Sequence, residues 1–345
     1  MKRVIGITLT LGLLAALLAS GTQREAPKET LSAYGFFSGN IAEQIPVAGI
    51  MPYQLNTPLF SDYAEKLRFI QLPKDSVIIY DSTDVMHLPV GATIIKTFYY
   101  PKDFRHPEKG RRLMETRLLQ HEPGGWKALV YIWNDEQTDA FLEVAGDRKP
   151  TQFIDHNGHT VSFEYIVPNL NQCKGCHNTN EVMTPIGPTA RQLNGDFNYT
   201  TGRENQLQHW QKAGILKGLD DAGKAPKVPV WNDPKSGTLA SRARTWLEIN
   251  CAHCHKPEGP AKTSGLFLNA GEQDPVKIGI NKTPVAAGRG AADLQFDIVP
   301  GHPEKSILVY RMESTDPGIM MPELSRKLTH KEGVELVKEW IRQMK

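Results

Sequence analysis

The sequence Cys-Ala-His-Cys-His at positions 251–255 is the stretch from which the architecture of this 345-residue chain can be worked out. A second stretch of the same form, Cys-Lys-Gly-Cys-His, occupies positions 173–177. Both have the pattern C-x-x-C-H, and together they contain all four cysteines of the chain. With 4 Cys and 11 His in the sequence, one such pattern would arise by accident roughly 0.0015 times. Two copies therefore indicate a shared chemistry rather than coincidence.

Each pattern has the spacing of a c-type haem attachment site. Two thiols three residues apart lie on one side of a turn, where both can add to the vinyl groups of one porphyrin, and the adjacent histidine coordinates the iron. A zinc site would need further ligands at finger spacing, and a thioredoxin-like redox pair would need a βαβ context. The sequence therefore predicts two covalently bound haem c groups. Their attachment residues and proximal iron ligands are Cys173, Cys176, His177, Cys251, Cys254 and His255.

The sixth iron ligand of the second haem is expected from a methionine downstream of His255. Met321 is the favoured ligand, and Met320 is the alternative. Pro322 has no backbone N–H and biases Met321 towards extended geometry, which suits a loop that lays a thioether over a ring. The Nδ1–H group of His255 is expected to donate to a carbonyl in the turn at positions 259–260.

The sixth ligand of the first haem has several candidates. Met183 lies six residues after the first motif, and His209 lies in a helical stretch. His156 and His159 are further candidates, and an open or water-bound iron is the remaining alternative. A six-coordinate iron would favour electron transfer, whereas an open position would favour chemistry on a small molecule.

The chain before the first motif has the composition of β-structure, rich in β-branched and aromatic residues and interrupted by Gly, Pro and Asp. We predict an antiparallel sheet or a partly closed barrel, with the first haem packed against it. Arg68 and Lys96 lie on predicted strands, and a solvent-exposed face is the simplest account of both. The predicted strands cover residues 67–72, 76–80, 93–100, 112–119, 128–133 and 160–166.

The residues around the second motif follow a helical pattern. Apolar residues recur at three- and four-residue steps within 236–250 and predict an amphipathic helix that runs into Cys251. Residues 306–312 predict another short helix. Thr329 and Glu332 have the spacing of a capping box that would begin a last helix at the C-terminus.

The N-terminus has the pattern of a secretory signal peptide. Lys2 and Arg3 precede an apolar run over residues 4–18, and small residues follow at 19–21. The apolar run is shorter than the ~20 residues of a membrane-spanning helix. Removing two positive charges from a formal net charge of +2 leaves about zero, unlike the charge excess of nucleic-acid binders. We predict a soluble periplasmic protein with no membrane span after signal cleavage and no nucleic-acid partner.

The C-terminal part of the chain resembles a class I cytochrome c. The resemblance rests on Cys251, Cys254, His255 and the Met321-Pro322 loop, and it implies an all-α fold closed by a C-terminal helix. Met321 follows His255 by 66 positions, a longer separation than in compact members of that family.

The whole mature chain resembles a family of bacterial di-haem c-type cytochromes. The stretches that carry this resemblance are positions 53–62, 125–128, 171–177 and 316–323. The expected fold is multi-domain, with an N-terminal antiparallel β-rich domain followed by an all-α cytochrome c domain. The expected parts are a signal peptide (1–21), a β-rich domain ending in the first motif (22–178), a connecting segment (179–235) and a helical domain with the second haem (236–345).

Two functions follow from these patterns. The favoured one is an electron-transfer protein, not an enzyme, which carries electrons between periplasmic redox partners such as a dehydrogenase and an acceptor. It is favoured because no distal acid–base pair can be placed near the first haem, and no catalytic residue is assigned. The alternative is a haem enzyme whose five-coordinate first haem acts on peroxide or a small nitrogen compound, with the second haem as electron relay.

Overall fold

The computed structural model describes residues 26–324 and 326–345. The predicted signal peptide, residues 1–21, lies outside the described residues. β-Strands form most of the regular structure before residue 218. The strands are β1 (Phe37–Ser38), β2 (Ile45–Pro46), β3 (Ile50–Pro52), β4 (Glu65–Gln71), β5 (Ile78–Ile79), β6 (Thr93–Pro101), β7 (Arg111–Glu122), β8 (Gly125–Trp133), β9 (Ala140–Glu143), β10 (Asp147–Ile154), β11 (Thr160–Val167), β12 (Asn178–Thr179), β13 (Val182–Met183), β14 (Asp196–Tyr199), β15 (Gly202–Asn205) and β16 (Leu216–Lys217).

The helices are short, and the longest of them lies at the C-terminus. They are α1 (Leu170–Cys176), α2 (Ala190–Leu193), α3 (Gln206–Lys212), α4 (Leu239–Leu247), α5 (Pro275–Ile278), α6 (Ile307–Glu313) and α7 (Lys331–Arg342). Helix α4 begins where the Thr238 hydroxyl accepts a hydrogen bond from the Ser241 N–H at 3.1 Å, and it continues into a π-helical turn, Glu248–Ala252. Within the part of the chain that the structure describes, every helix is too short or too polar to cross a membrane.

The largest sheet is antiparallel and has the strand order β3-β4-β6-β7-β8-β9. Successive residues of β8 point to opposite faces, as the pleat requires. Leu129 and Tyr131 pack in a cluster with Leu31, whereas Val130 packs in a cluster that contains Cys173. Both faces of the sheet are therefore covered, and the first cysteine of the first motif belongs to the core of one of them.

The hairpin β10–β11 leads into the first motif. Its two strands pair along their full length, from Asp147 opposite Val167 to Ile154 opposite Thr160. Helix α1 follows and begins with a capping box, in which the Asn169 side chain accepts from the Gln172 N–H and the Gln172 side chain accepts from the Asn169 N–H. Both orphan backbone donors at this helix end are thereby satisfied. The hairpin and the cap fix where the first motif lies.

Polar contacts join the C-terminal helices to the β-rich part. The carboxylate of Asp62 accepts from the backbone N–H groups of Lys327 and Leu328, both at 2.7 Å. The Tyr63 hydroxyl donates to the Glu332 carboxylate at 2.8 Å. These contacts pair a loop of the β-rich part with the residues that lead into α7.

The predicted fold class, an antiparallel β-rich domain followed by an all-α cytochrome c domain, is wrong. The described chain is β-rich, with one large sheet and several small ones, and it contains no all-α cytochrome c domain. Between α5 and α6 the backbone makes isolated parallel bridges, Ile280 with Ile298 and Phe296 with Ser306, and two short 3-10 helices, Gly288–Ala291 and Pro303–Lys305, instead of α-helix. The physical reason is the long Gly- and Pro-containing insertion after the second motif, whose residues cannot sustain helical hydrogen bonding.

The predicted capping box at α7 is also wrong. Helix α7 begins at Lys331 after His330, with no side-chain cap. The Thr329 hydroxyl donates instead to the Glu313 carbonyl at 3.2 Å, and Glu332 accepts from Tyr63. Both side chains that the local pattern assigned to the helix end make tertiary hydrogen bonds instead.

Candidate functional site

The two C-x-x-C-H motifs lie side by side, although 73 residues lie between them in the 345-residue sequence. The Cys254 sulfur is 3.9 Å from the Gly175 carbonyl oxygen. The Asn180 N–H donates to the Glu258 carbonyl at 2.8 Å, just beyond the two motifs. The sequence predicted each motif separately but contained no sign that they would be in contact.

The four cysteines are free thiols in unequal environments. A hydrogen bond between Cys254 and Cys176 lowers the pKa of Cys176 and raises that of Cys254. Burial raises the pKa of Cys173, and burial raises that of Cys251 to about 12. Free thiols, one pair on each motif, are the groups that thioether formation requires.

His177 is held in one tautomer by a backbone carbonyl. Its Nδ1 lies 3.1 Å from the Thr184 carbonyl oxygen, which can only accept a hydrogen bond. Nδ1 therefore carries the proton, and the lone pair of Nε2 is left for a metal ion. Burial, more than the nearby cation Lys96, lowers the pKa of His177 to about 3. The imidazole is neutral at pH 7, as an iron ligand must be.

His255 has a different partner from the one expected. Its Nδ1 lies 3.3 Å from the Ser264 hydroxyl oxygen, and burial lowers its pKa to about 4. The expected carbonyl in the turn at 259–260 does not serve this ring. Gly259 instead packs so closely on the motif backbone that a Cβ there would lie 2.3 Å from the Cys254 carbonyl oxygen. The turn supports the motif's main chain rather than its imidazole.

A cavity lies next to the first motif. Cys173, Cys176 and His177 line it on one side. Met321 lines it from the C-terminal part of the chain, and Met320 is buried at 5% exposure. The sequence paired Met321 with His255, but the described residues lining this cavity include His177 and not His255.

The other candidate ligands of the first haem have partners elsewhere. His209 Nδ1 lies 3.1 Å from Glu204, and its ring stacks on Tyr199. His159 is exposed beside Asp155. Two more candidates pack on aromatic or apolar clusters of the β-rich part, His156 and Met183. None of these four candidates is among the described residues that line the cavity.

His330 is a cavity residue that the sequence reasoning missed. Its ring stacks on Phe60 with centroids 4.3 Å apart, and its Nδ1 accepts from the Trp246 indole N–H at 3.0 Å. Because Nδ1 accepts, the neutral ring carries its proton on Nε2 and offers no free lone pair to a metal. His330 lies between the two residues of the predicted capping box, and no sequence pattern indicated that its ring would line a cavity.

The charges on the strands facing the first motif were also misjudged. Arg68 is only 9% exposed, and together with Lys96 and Arg117 it lines a cavity shared with Cys173 and His177. The expectation of a solvent-exposed face for Arg68 and Lys96 is therefore wrong, because α1 and the loop after it cover this side of the sheet. Cross-strand register could have shown that the three cations align, but not that they are covered.

Comparisons of the chain with models of protein families, with curated proteins and with solved structures found no match. The function proposed below therefore rests on the residues of the site.

Proposed function

We propose that the chain is an exported di-haem c-type cytochrome that transfers electrons between periplasmic redox partners. The observation that carries this proposal is the presence of two C-x-x-C-H motifs that use every cysteine of the chain and lie in contact. A structural or thiol-redox role would not require a histidine after each cysteine pair.

The residues of the first motif fit a covalently attached porphyrin. Cys173 and Cys176 border the same cavity as His177, whose Nε2 is the ring nitrogen free to bind iron. Apolar side chains such as Phe98 and Ile186 line the cavity together with the cations Lys96 and Arg117. These residues would hold the group, and when bound it would supply a one-electron iron couple. The apolar wall would tune that couple by limiting solvent access.

The second motif offers the same donor set. Cys251 and Cys254 are free thiols, and Ser264 orients the His255 ring through Nδ1. The backbone contact between Asn180 and Glu258 keeps this motif against the first. Two attachment sites fixed in contact are suited to passing an electron from one site to the other without movement of the chain.

Haem counting tests the proposal directly. Protein made in a host with c-type maturation machinery should contain two haems per chain by the pyridine haemochrome assay. The paired variants Cys173→Ser with Cys176→Ser, and Cys251→Ser with Cys254→Ser, should each contain one, so each serves as the control for the other. Protein without covalent haem, or with zinc in its place, would contradict the proposal.

A haem enzyme is the second candidate function, and one observation favours it. The cavity beside Cys173 and His177 shares Tyr53 and Arg68 with a larger cavity, so the two cavities adjoin. The larger cavity offers space for a small molecule near the first motif. The electron paramagnetic resonance spectrum of oxidised protein separates the candidates: two low-spin haems support electron transfer alone, and one high-spin haem supports the enzyme.

A further inference from the structure

Three cations lie in a row across neighbouring strands of the large sheet. Arg68 on β4 is directly opposite Lys96 on β6, and Lys96 is directly opposite Arg117 on β7. Side chains directly opposite on antiparallel strands point to the same face with their Cβ atoms ~5 Å apart, and like charges there repel each other. We call these three residues, Arg68, Lys96 and Arg117, the row. Their mutual repulsion destabilises the folded state unless a negatively charged group lies against them.

The protein itself supplies only part of the neutralising charge. Arg117 pairs with Glu115 through its Nε at 2.8 Å, and the Tyr165 hydroxyl occupies the same carboxylate at 2.6 Å. Among the described residues, the Lys96 ammonium has no hydrogen-bond partner and lies 5.0 Å from the Phe98 ring centroid. Glu115 is thus one buried carboxylate against three cations.

Arg68, the remaining member of the row, is similarly short of partners. The Arg68 guanidinium makes one long contact, 3.4 Å, with the Lys66 carbonyl oxygen. Lys66 adds a fourth positive charge to this face, whereas the nearby carboxylate of Glu65 is exposed. Burial, and then repulsion from Arg117 and Arg68, lowers the pKa of Lys96 to about 7. The pKa direction agrees with a row that lacks a counter-ion.

The row borders a cavity large enough for a small counter-ion. Arg68, Lys96 and Arg117 line one cavity together with His177 and Tyr53. The Tyr53 hydroxyl has no hydrogen-bond partner among the described residues, so it is available as a donor. Tyr53 and Arg68 also line the larger cavity described above, so the row lies between two adjoining cavities.

We infer that Arg68, Lys96 and Arg117 form a binding site for a small anion with carboxylate or inorganic oxyanion oxygens, next to the first C-x-x-C-H motif. Ammonium and guanidinium groups make their strongest hydrogen bonds to such oxygens. The anion has two possible sources: a free oxyanion that enters through the larger cavity, or the carboxylates of the porphyrin itself. The second source rests on the proposed haem attachment, and the first does not.

Calorimetric titration with sodium nitrite and with inorganic phosphate tests the free-anion source. The full-length protein is used in chloride-free buffer, after its haem content has been measured. We expect saturable binding to the wild type, weaker by about tenfold or more in Lys96→Met, because a charged hydrogen-bond donor is lost. Lys96→Arg should retain binding. Lys109→Met removes the same charge from an exposed turn and should bind as the wild type does.

Spectroelectrochemistry tests the porphyrin source. If porphyrin carboxylates already occupy the row, nitrite and phosphate should not bind, and Lys96→Met and Arg68→Met should lower the reduction potential of one haem, whereas Lys109→Met should not. Absence of both effects in folded Lys96→Met protein would overturn the inference, and Lys96→Gln replaces this variant if it does not fold. Protein without haem would contradict the proposed function, but its calorimetric titration would still decide the free-anion site.

Discussion

Asp62 is a buried carboxylate, 3% exposed, that ties the β-rich part of the chain to the segment before α7. Burial raises its pKa from 3.8 to about 6, outweighing the two backbone N–H groups that favour the charged form. Between about pH 4 and pH 6 the folded state therefore binds a proton that the unfolded state releases. The free energy of unfolding should fall as the pH rises through this window.

The variant Asp62→Asn should remove this pH dependence. The amide oxygen can still accept from Lys327 and Leu328, and asparagine tolerates the left-handed backbone at this position, where φ is 51°. A shift of about two pKa units corresponds to ~3 kcal/mol. Urea unfolding between pH 4 and pH 7 measures the effect. Asp220→Asn, at an exposed carboxylate, should keep the wild-type slope, and an unchanged slope in Asp62→Asn would refute the assignment.

Met321 and Met312 both line the cavity beside the first motif, whereas Met320 is buried and is not among its lining residues. If the Met321 thioether binds iron, Met321→Ala should abolish the sulfur-to-iron charge-transfer absorption and lower one reduction potential, because a His/Met pair raises it. Met320→Ala is the matched control and should keep the band. Repeating the measurement in the two single-haem variants would show which haem the sulfur serves.

At the scale of elements, α1 carries the first motif on only seven residues. So short a helix depends on its cap, and Asn169→Ala should lower the free energy of unfolding by ~1 kcal/mol. Asn169→Asp keeps an acceptor for the Gln172 N–H and should cost less. Asn157→Ala, in an exposed turn, controls for asparagine removal itself. Chemical denaturation of the three variants checks the order, and equal stabilities would show that the cap is dispensable.

The long strands could be predicted from the sequence because their pattern is local. Predicted residues 67–72, 93–100 and 128–133 fall on β4, β6 and β8. The two-residue strand β5 pairs in parallel with β16, from a distant part of the chain, so no local pattern defines its bounds. The prediction for the C-terminal fold is wrong for a different reason, because the Gly- and Pro-containing segment after the second motif forms isolated bridges instead of α-helix.

The residues of the candidate site also divide into those that have a local sequence pattern and those whose position depends on distant segments. The six Cys and His residues of the motifs are predicted from spacing alone, because the proposed attachment to a porphyrin would depend only on local spacing. The covered row at Lys96 and the position of Met321 depend on which segments lie over the sheet. A charge on a strand has the same local pattern whether it faces water or a cavity, so sequence reasoning placed Lys96 on the outside.

At the scale of the whole molecule, the contact between the two motifs implies an electrostatic interaction between the two proposed redox sites. The Cys254 sulfur approaches the Gly175 carbonyl, so two iron sites attached here would be close neighbours. A charge gained at one site then changes the free energy of adding an electron at the other. The two reductions should therefore be coupled and not independent.

Redox titration of three proteins measures this coupling. The paired serine variants that lack either the first or the second cysteine pair each give the potential of one haem alone. The wild-type titration should be broader than the sum of the two single-haem curves, with a separation on the order of tens of mV, because the first electron added repels the second. The comparison uses each single-haem variant as the reference for the other. A wild-type curve that equals the sum would mean that the irons are too far apart or too well screened to interact, and it would contradict the arrangement of adjacent haems on which rapid internal electron transfer depends.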